Sequence, residues 1–222
     1  MIVKEINDIK RINLHLHTNV SDGSLSPKTL VNKAREIGLD LISITDHDTA
    51  DAYAQIPENV SPLRILPGVE ISSRYEDDDV HILAYGCDLT NKALQEMMEM
   101  YLVGRKERAK KMISILADMG IKISLEEVIS VAGSRELIVR PHIAQVLVKH
   151  GFCQTKNEAF DKYIGNNKPA YVPKPEVSVA EAVSIIHKAE GVAVIAHPGK
   201  LTKLSYIDDF IPMGIDGLEV WH

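Results

Sequence analysis

With 222 residues the chain can bury a sizeable core, as one large domain or as one domain carrying an insertion. Its 25 Lys plus Arg stand against 31 Asp plus Glu with no basic run, so composition gives no support to an extended duplex-DNA surface, while a small phosphorylated ligand held by a few cations stays open. Cys87 and Cys153 form no CxxC pair, which argues against a disulfide framework and a thiolate zinc site; neither a signal-peptide-like start nor a run of 18 apolar residues occurs, and we expect a cytoplasmic chain without a membrane span.

Ile12, Leu14 and Leu16 alternate with Asn13, His15 and His17, the period-two pattern of a half-buried strand whose two histidines share a face. In "SPKTLVNKAREIG" Ser26 can cap, Pro27 suits the first helical position, Leu30, Val31, Ala34 and Ile37 make one apolar face, and Gly38 can terminate: a helix is predicted. "DLISITDHDTAD" reads as a short buried strand, Leu39 to Thr45, ending on Asp46, His47 and Asp48; strands follow at "RILPGVEIS" and "VHILAYG". From Asn91 to about Met119, Leu94, Met97, Met98, Tyr101 and Leu102 take helical spacing, and further helices are predicted near 124–131, 141–150 and 156–164. Alternation resumes with a helix over "SVAEAVSIIHKAEG", a strand "VAVIAH", a helical stretch near 202–213 and a strand "GLEVW". This pattern predicts an α/β fold, a barrel-like parallel sheet with helices outside, built from residues 1–90 and 176–222 and interrupted by a helical cap or insertion at 91–175.

Five of the nine histidines, His15, His17, His47, His81 and His197, fall at or near strand ends, where ligands and catalytic groups gather in parallel α/β folds. His15 and His17, two apart on a strand, point the same way about 7 Å apart and can reach one metal ion; two solvent-facing strand histidines are the plainer alternative. Asp22 in "NVSDGS" is either an Asx-turn residue or a ligand beside that pair. "TDHDT" sets three ionisable side chains at the end of an apolar strand, where coordination or hydrogen bonding has to offset their desolvation, and Asp46 is a candidate catalytic carboxylate there. Glu70, in the apolar "LPGVEIS", is the second, able to bridge two ions with its two oxygens.

Taken singly, each of these is explained as an ordinary strand-end polar residue. Together His15, His17, Asp22, His47, Glu70, His81 and His197 point to a polynuclear metal site, and donors of this kind without thiolate suit manganese, zinc, iron or magnesium. Arg140 and His142 open a helix whose N–H groups and dipole favour an anion, and Lys168 precedes "PAYVP"; these are the candidate contacts to a substrate phosphate, with Arg135 a weaker one. A solvated helix-start arginine and a surface lysine are the alternatives. His150 and His187, near helix C-termini, are explained by the helix dipole.

The stretches "NLHLHTNVSDG", "AREIGLDLISITDHDT", "PGVEIS", "HILAYG", "RPHIAQVLVKHG", "KPAYVP", "VAVIAHPG" and "GIDGLEVWH" resemble the PHP (polymerase and histidinol phosphatase) domain family. "RPHIA" and "KPAYVP" look most like its stand-alone bacterial branch, which includes nucleoside 3',5'-bisphosphate phosphatases that also trim RNA from the 5' end. The resemblance implies a distorted seven-stranded β/α barrel with a helical cap, and two or three divalent ions, manganese favoured. It gives His15, His17 and Glu70 to one metal, Asp22 and His47 to a second, and His81 with His197 to a third that shares Glu70. The implied reaction is hydrolysis of a nucleotide phosphate ester by a metal-activated water, on a nucleoside 3',5'-bisphosphate or a short 5'-phosphorylated single-stranded RNA.

Three alternatives stay open: a histidinol-phosphate-type phosphatase, an amidohydrolase-type C–N hydrolase and a non-catalytic structural module. Amidohydrolases also begin with HxH on a barrel strand, but usually place a carbamylated lysine where Glu70 stands here. Family members continue past "GLEVWH" into a GSDxH-like segment that adds one ligand to each of the first two metals. The sequence ends at His222, before such a segment, and a truncated chain or a natural fragment with weakened first and second sites is the expectation.

Overall fold

The structure is a computed structural model and describes residues 10–132 and 138–221; Arg135 and His222 lie outside these. The chain forms two compact units, the first from residues up to Met98 and from Glu176 onward, the second from Glu99–Pro175.

Among the described residues the first unit is built on a seven-stranded sheet in the order β1-β2-β3-β4-β6-β7, with β5 (Val177–Ser178) beside β3. Strands β1 (Ile12–Leu16), β2 (Leu41–Ile44) and the first half of β3 (Arg64–Tyr75) run parallel. Helix α1 (Pro27–Glu36) makes the crossover from β1 to β2. Ser26 Oγ accepts the Thr29 N–H at 3.2 Å, and the face carrying Leu30, Val31 and Ala34 packs with Ile42 and Ile44 of β2. That face is the apolar stripe read from the sequence, minus Ile37, which lies past the helix end and is exposed.

The sheet is mixed, and here the structure corrects the expectation of parallel strands. Only Glu76 and Asp77 separate β3 from β4 (Asp78–Tyr85), and a connection of two residues permits only an antiparallel hairpin. Strand β6 (Val192–Ile195) is antiparallel to β4, and β7 (Gly217–Leu218) is parallel to β6. The strand predicted over "GLEVW" stops at Leu218 because β6, beside which β7 lies, ends at Ile195. The sheet curls: Tyr85 Oη on β4 donates to Leu14 O on β1 at 3.0 Å, although two strands stand between them in the order. Helix α6 (Val179–Lys188) is capped by Ser178, whose Oγ accepts the Glu181 N–H at 3.2 Å. The helical stretch near 202–213 shrinks to the short α7 (Tyr206–Phe210).

The second unit is helical. Helix α2 (Lys92–Asp118) enters it, followed by α3 (Leu125–Ala132), α4 (Arg140–Lys149) and α5 (Lys156–Ala159), which runs on into a π-type turn at Phe160–Ile164. Its interior is apolar, with Met112, Leu116, Val128, Ile143, Leu147 and Ile164 fully or almost fully buried. Among the described residues no helix is long and apolar enough to cross a membrane.

Candidate metal centre

Glu70 lies midway along β3 and is 1% exposed. Its Oε2 stands 3.2 Å from His15 Nε2, 3.1 Å from His17 Nε2 and 3.2 Å from His47 Nδ1. Its Oε1 stands 2.9 Å from both His81 Nδ1 and His197 Nε2. One carboxylate is thus ringed by five imidazoles delivered by β1, the turns after β2 and β6, and β4.

Each delivery has a local cause. Alternation along β1 turns His15 inward, and the chain past its end turns His17 the same way. His47 follows β2 at a bridge to Glu70, held by Glu70 N–H donating to Asp46 O at 3.2 Å and Asp48 N–H donating to Glu70 O at 2.9 Å. His81 sits in mid-strand opposite Ser72, so it reaches the centre because β4 runs backward beside β3 and not because it ends a strand. His197 adopts φ 32°, ψ 58°, left-handed backbone that residues with a Cβ seldom adopt.

Asp22 is brought in by a tight turn in which Gly23 N–H donates to Thr18 O at 2.8 Å. A Cβ on Gly23 would stand 2.3 Å from His17 O, so no larger residue fits that turn. Asp22 Oδ1 comes within 3.4 Å of His17 Nδ1 and Oδ2 within 3.5 Å of His47 Nε2.

The charges follow the geometry. Burial alone pushes the Glu70 carboxyl up, but hydrogen bonds from His15, His17, His197 and His81 hold it far below the usual carboxylate range. Burial also raises Asp22, and the hydrogen bond and charge of His47 outweigh it, bringing its carboxyl to about 2. His15 and His47 move the other way: burial lowers each imidazole, and the neighbouring carboxylates more than compensate, so both are raised.

The donor set fits divalent metal ions. His15, His17 and Glu70 offer three ligand atoms within 4.8 Å of one another, as do His17, Asp22 and His47, and His47, Glu70 and His81. His15 Nε2 and His17 Nε2 face each other at 3.1 Å, and the rings of His17 and His47 lie 4.7 Å apart, a crowding of imidazole nitrogens that a shared cation relieves. Among the described residues His17 Nδ1 and His47 Nδ1 are buried without a hydrogen-bond partner, the carboxylate oxygens at 3.4 Å and 3.2 Å lying out of line. His47 belongs to two of the groups, so the division of ligands between ions is less sharp in space than the resemblance implies.

Asp46 does not join the ring around Glu70. Its Oδ1 accepts from Thr18 N–H at 2.7 Å and Ser21 Oγ at 2.6 Å, and its Oδ2 from Thr18 Oγ1 at 2.6 Å, so its acceptors are engaged by the turn that carries Asp22. Asp48 works similarly, accepting from Ser72 N–H at 2.7 Å and Ser72 Oγ at 2.9 Å. Arg140 opens α4, where Nη1 donates to Asn166 Oδ1 at 2.7 Å and the guanidinium lies over the rings of Phe160 and Tyr171. His142 uses Nδ1 to accept the Val139 N–H at 3.3 Å, a capping contact, and Lys168 is exposed in the loop before Tyr171. These three belong to the second unit.

Glu219 is a residue the sequence reading passed over. Its Oε1 lies 2.8 Å from His15 Nδ1, and its Oε2 accepts the His197 backbone N–H at 2.6 Å. The available signal was a carboxylate set in an apolar strand end, "GLEV", of the same kind as Glu70 in "GVEI".

Residues 13–165 match the PHP domain family. The chain is 35% identical over 191 residues to the 5'-3' exoribonuclease Rnm of Escherichia coli (strain K12), with 84% of this chain and 65% of that protein covered; it spans just under two thirds of that relative's length. It is 34% identical over 218 residues to the 3',5'-nucleoside bisphosphate phosphatase of Chromobacterium violaceum, covering 94% and 76%. Among solved structures, a candidate metal-dependent phosphoesterase from Bifidobacterium adolescentis superposes with a TM-score of 0.85 at 35% identity, over 96% of this chain and 78% of that one. An amidohydrolase from Chromobacterium violaceum, solved with bound sulfate and no metal, gives 0.81 at 33% identity over 95% and 77%.

Proposed function

The chain belongs to the PHP domain family, and from that premise we propose that it is a metal-dependent phosphoesterase releasing phosphate from a small phosphorylated nucleotide. The observation that carries this reading is Glu70 buried among five imidazoles, with both of its oxygens committed to them. A nucleoside 3',5'-bisphosphate or the 5' end of a short single-stranded RNA is the substrate class, by analogy with the two relatives that carry those activities in their names.

On this reading two or three divalent ions bind, drawn from manganese, zinc, iron and magnesium with manganese favoured by the family resemblance; the absence of thiolate makes softer ions less suited. His15, His17 and Glu70 would hold one, Asp22 and His47 a second, and His81 with His197 a third that shares Glu70. Bound ions supply charge neutralisation at the phosphate oxygens and lower the pKa of the attacking water. The chain's own part is to hold the donors still. Glu70 turns Oε2 toward His15, His17 and His47 and Oε1 toward His81 and His197, so one carboxylate serves both sides. Asp22, with its carboxyl at about 2, keeps its charge across the physiological range. Asp46 is better assigned to holding the Thr18–Gly23 turn than to touching substrate.

We assign residues 91–175 to substrate recognition, with Arg140, His142 and Lys168 as its phosphate contacts. Arg140 is braced by Asn166 and two aromatic rings, which spares a bound anion the entropy of ordering it. The Chromobacterium violaceum amidohydrolase names the rival chemistry, but the sulfate bound to it has the shape and charge of a phosphate. The test is phosphate release by the purified protein with Mn2+ from a nucleoside 3',5'-bisphosphate, histidinol phosphate and a 5'-phosphorylated RNA. Fastest release from the bisphosphate or the RNA is expected; release from none of the three, with hydrolysis of an amide substrate, overturns the reading.

A further inference from the structure

Glu219 follows β7, and its backbone N–H donates to Ile195 O at 2.8 Å, which pins it beside the end of β6. From there its side chain, 9% exposed, reaches across to β1. One oxygen meets His15 Nδ1 at 2.8 Å and the other takes the His197 backbone N–H at 2.6 Å, both distances in the range of charge-assisted hydrogen bonds.

Two consequences follow. A neutral imidazole has one N–H and one lone pair, so an Nδ1–H given to Glu219 leaves the lone pair on Nε2. His15 Nε2 is the nitrogen that stands 3.1 Å from His17 Nε2 and 3.2 Å from Glu70 Oε2. At His197 the backbone sits in the left-handed region at φ 32°, a conformation that persists only where its surroundings enforce it. The bond from its N–H to Glu219 is such an enforcement, and the ring so placed puts Nε2 2.9 Å from Glu70 Oε1.

We propose that Glu219 is a positioning residue that fixes the tautomer of His15 and clamps the backbone of His197, presenting both imidazoles to Glu70 from separate strands. It rests on the assignment of His15 and His197 as metal ligands above. Metal affinity then depends on a side chain whose oxygens are turned away from the centre, toward Nδ1 of one ligand and the main chain of another.

The first test reads the metal-free full chain by 15N NMR of its imidazoles, with the pH raised until the His15 shifts show a neutral ring, because its neighbouring carboxylates raise it above the ordinary histidine value, and with His15 identified by the signals lost in His15→Gln. The Nδ1–H tautomer is expected at His15, with a shift toward Nε2–H in Glu219→Ala; an Nε2–H tautomer in the unsubstituted protein overturns the proposal. The second is Mn2+ titration against a competing chelator. Glu219→Ala should weaken binding about 10- to 100-fold. Glu219→Gln should fall in between, because its amide oxygen can serve His15 while its NH2 opposes the His197 N–H. Unchanged affinity in a folded Glu219→Ala overturns the proposal. A merely structural carboxylate would move the unfolding temperature but not the tautomer. If the unsubstituted protein takes up no metal, the ligand assignment fails, and the His15 tautomer still decides the role of Glu219.

Discussion

The interiors of the two units are built from different chemistry. Among the described residues, the second unit buries Met112, Leu116, Ile143 and Leu147 and, of polar side chains, only Arg105 and Arg108; the first buries Thr18, Ser21, Asp46, Asp48, Glu70 and Ser72 alongside its apolar core. Apolar packing stabilises whatever encloses it, whereas each buried polar group is a liability until its partners are in place. The partners in the first unit are other polar groups: imidazoles around Glu70, Thr18 and Ser21 on Asp46, and Ser72 on Asp48, so its arrangement answers to chemistry at Glu70 as much as to folding.

That contrast can be broken most forcefully at Glu70. Glu70→Ala should abolish both Mn2+ uptake and phosphate release, because the carboxylate is within reach of all five imidazoles. Metal analysis after dialysis, read beside an activity assay, checks it, and a variant that keeps its metal sinks the shared-ligand assignment. The matching change in the second unit is Leu147→Ala at a position with no exposure. Loss of about 2–5 kcal/mol in denaturant unfolding is expected from the cavity, with the Mn2+ stoichiometry of the folded protein unchanged.

Asp46→Ala joins the two kinds of effect. It strips the buried donors of Thr18 and Ser21 of their acceptor, which should lower stability by about 1–3 kcal/mol. It also frees the turn that carries Asp22, so metal binding should weaken without being lost. Full metal affinity in that variant would show that the turn holds its shape through Gly23 and its own backbone bonds alone.

The shared face of the β1 histidines was legible in the sequence, and the direction of the strands was not. Period-two alternation is the same whichever way a strand runs, so His15 and Leu14 could be sorted to opposite faces while β4 was misread as parallel. The signal for the hairpin was the polar "EDDD", whose first two residues, Glu76 and Asp77, are all that separates β3 from β4, too short to hold a crossover helix. The α1 helix was readable because its cap, its proline and its stripe are local. Glu219 offered a local signal as a carboxylate in an apolar strand end, but not its role, because its partner His15 is 204 residues away and no local pattern encodes that meeting. The surroundings of Asp46 were hidden for a related reason: a buried carboxylate looks the same in sequence whether imidazoles or hydroxyls surround it.

The smallest expected effect comes from a carboxylate–imidazole pair of the same chemistry placed in water. Asp216 Oδ2 accepts the Ala193 N–H at 2.8 Å and lies 2.9 Å from His187 Nε2, the two side chains being 40% and 42% exposed. The backbone bond first, and His187 second, hold the Asp216 carboxyl below its ordinary 3.8. A folded-state value that is lowered gives stability that is present above the unfolded value and is lost as pH falls through the folded one. Solvent screens an exposed pair, so Asp216→Asn should lower stability by less than about 1 kcal/mol at neutral pH. The difference should shrink with added salt and close once the pH drops well under the ordinary carboxylate value. Urea unfolding of both proteins at neutral and acidic pH measures it. Metal uptake should not change, because what gives Glu70 its role is the exclusion of water and the number of imidazoles around it. If Asp216→Asn did alter Mn2+ binding, the β6–β7 junction would be coupled to the centre, and the contrast between a surface pair and the buried ring would fail.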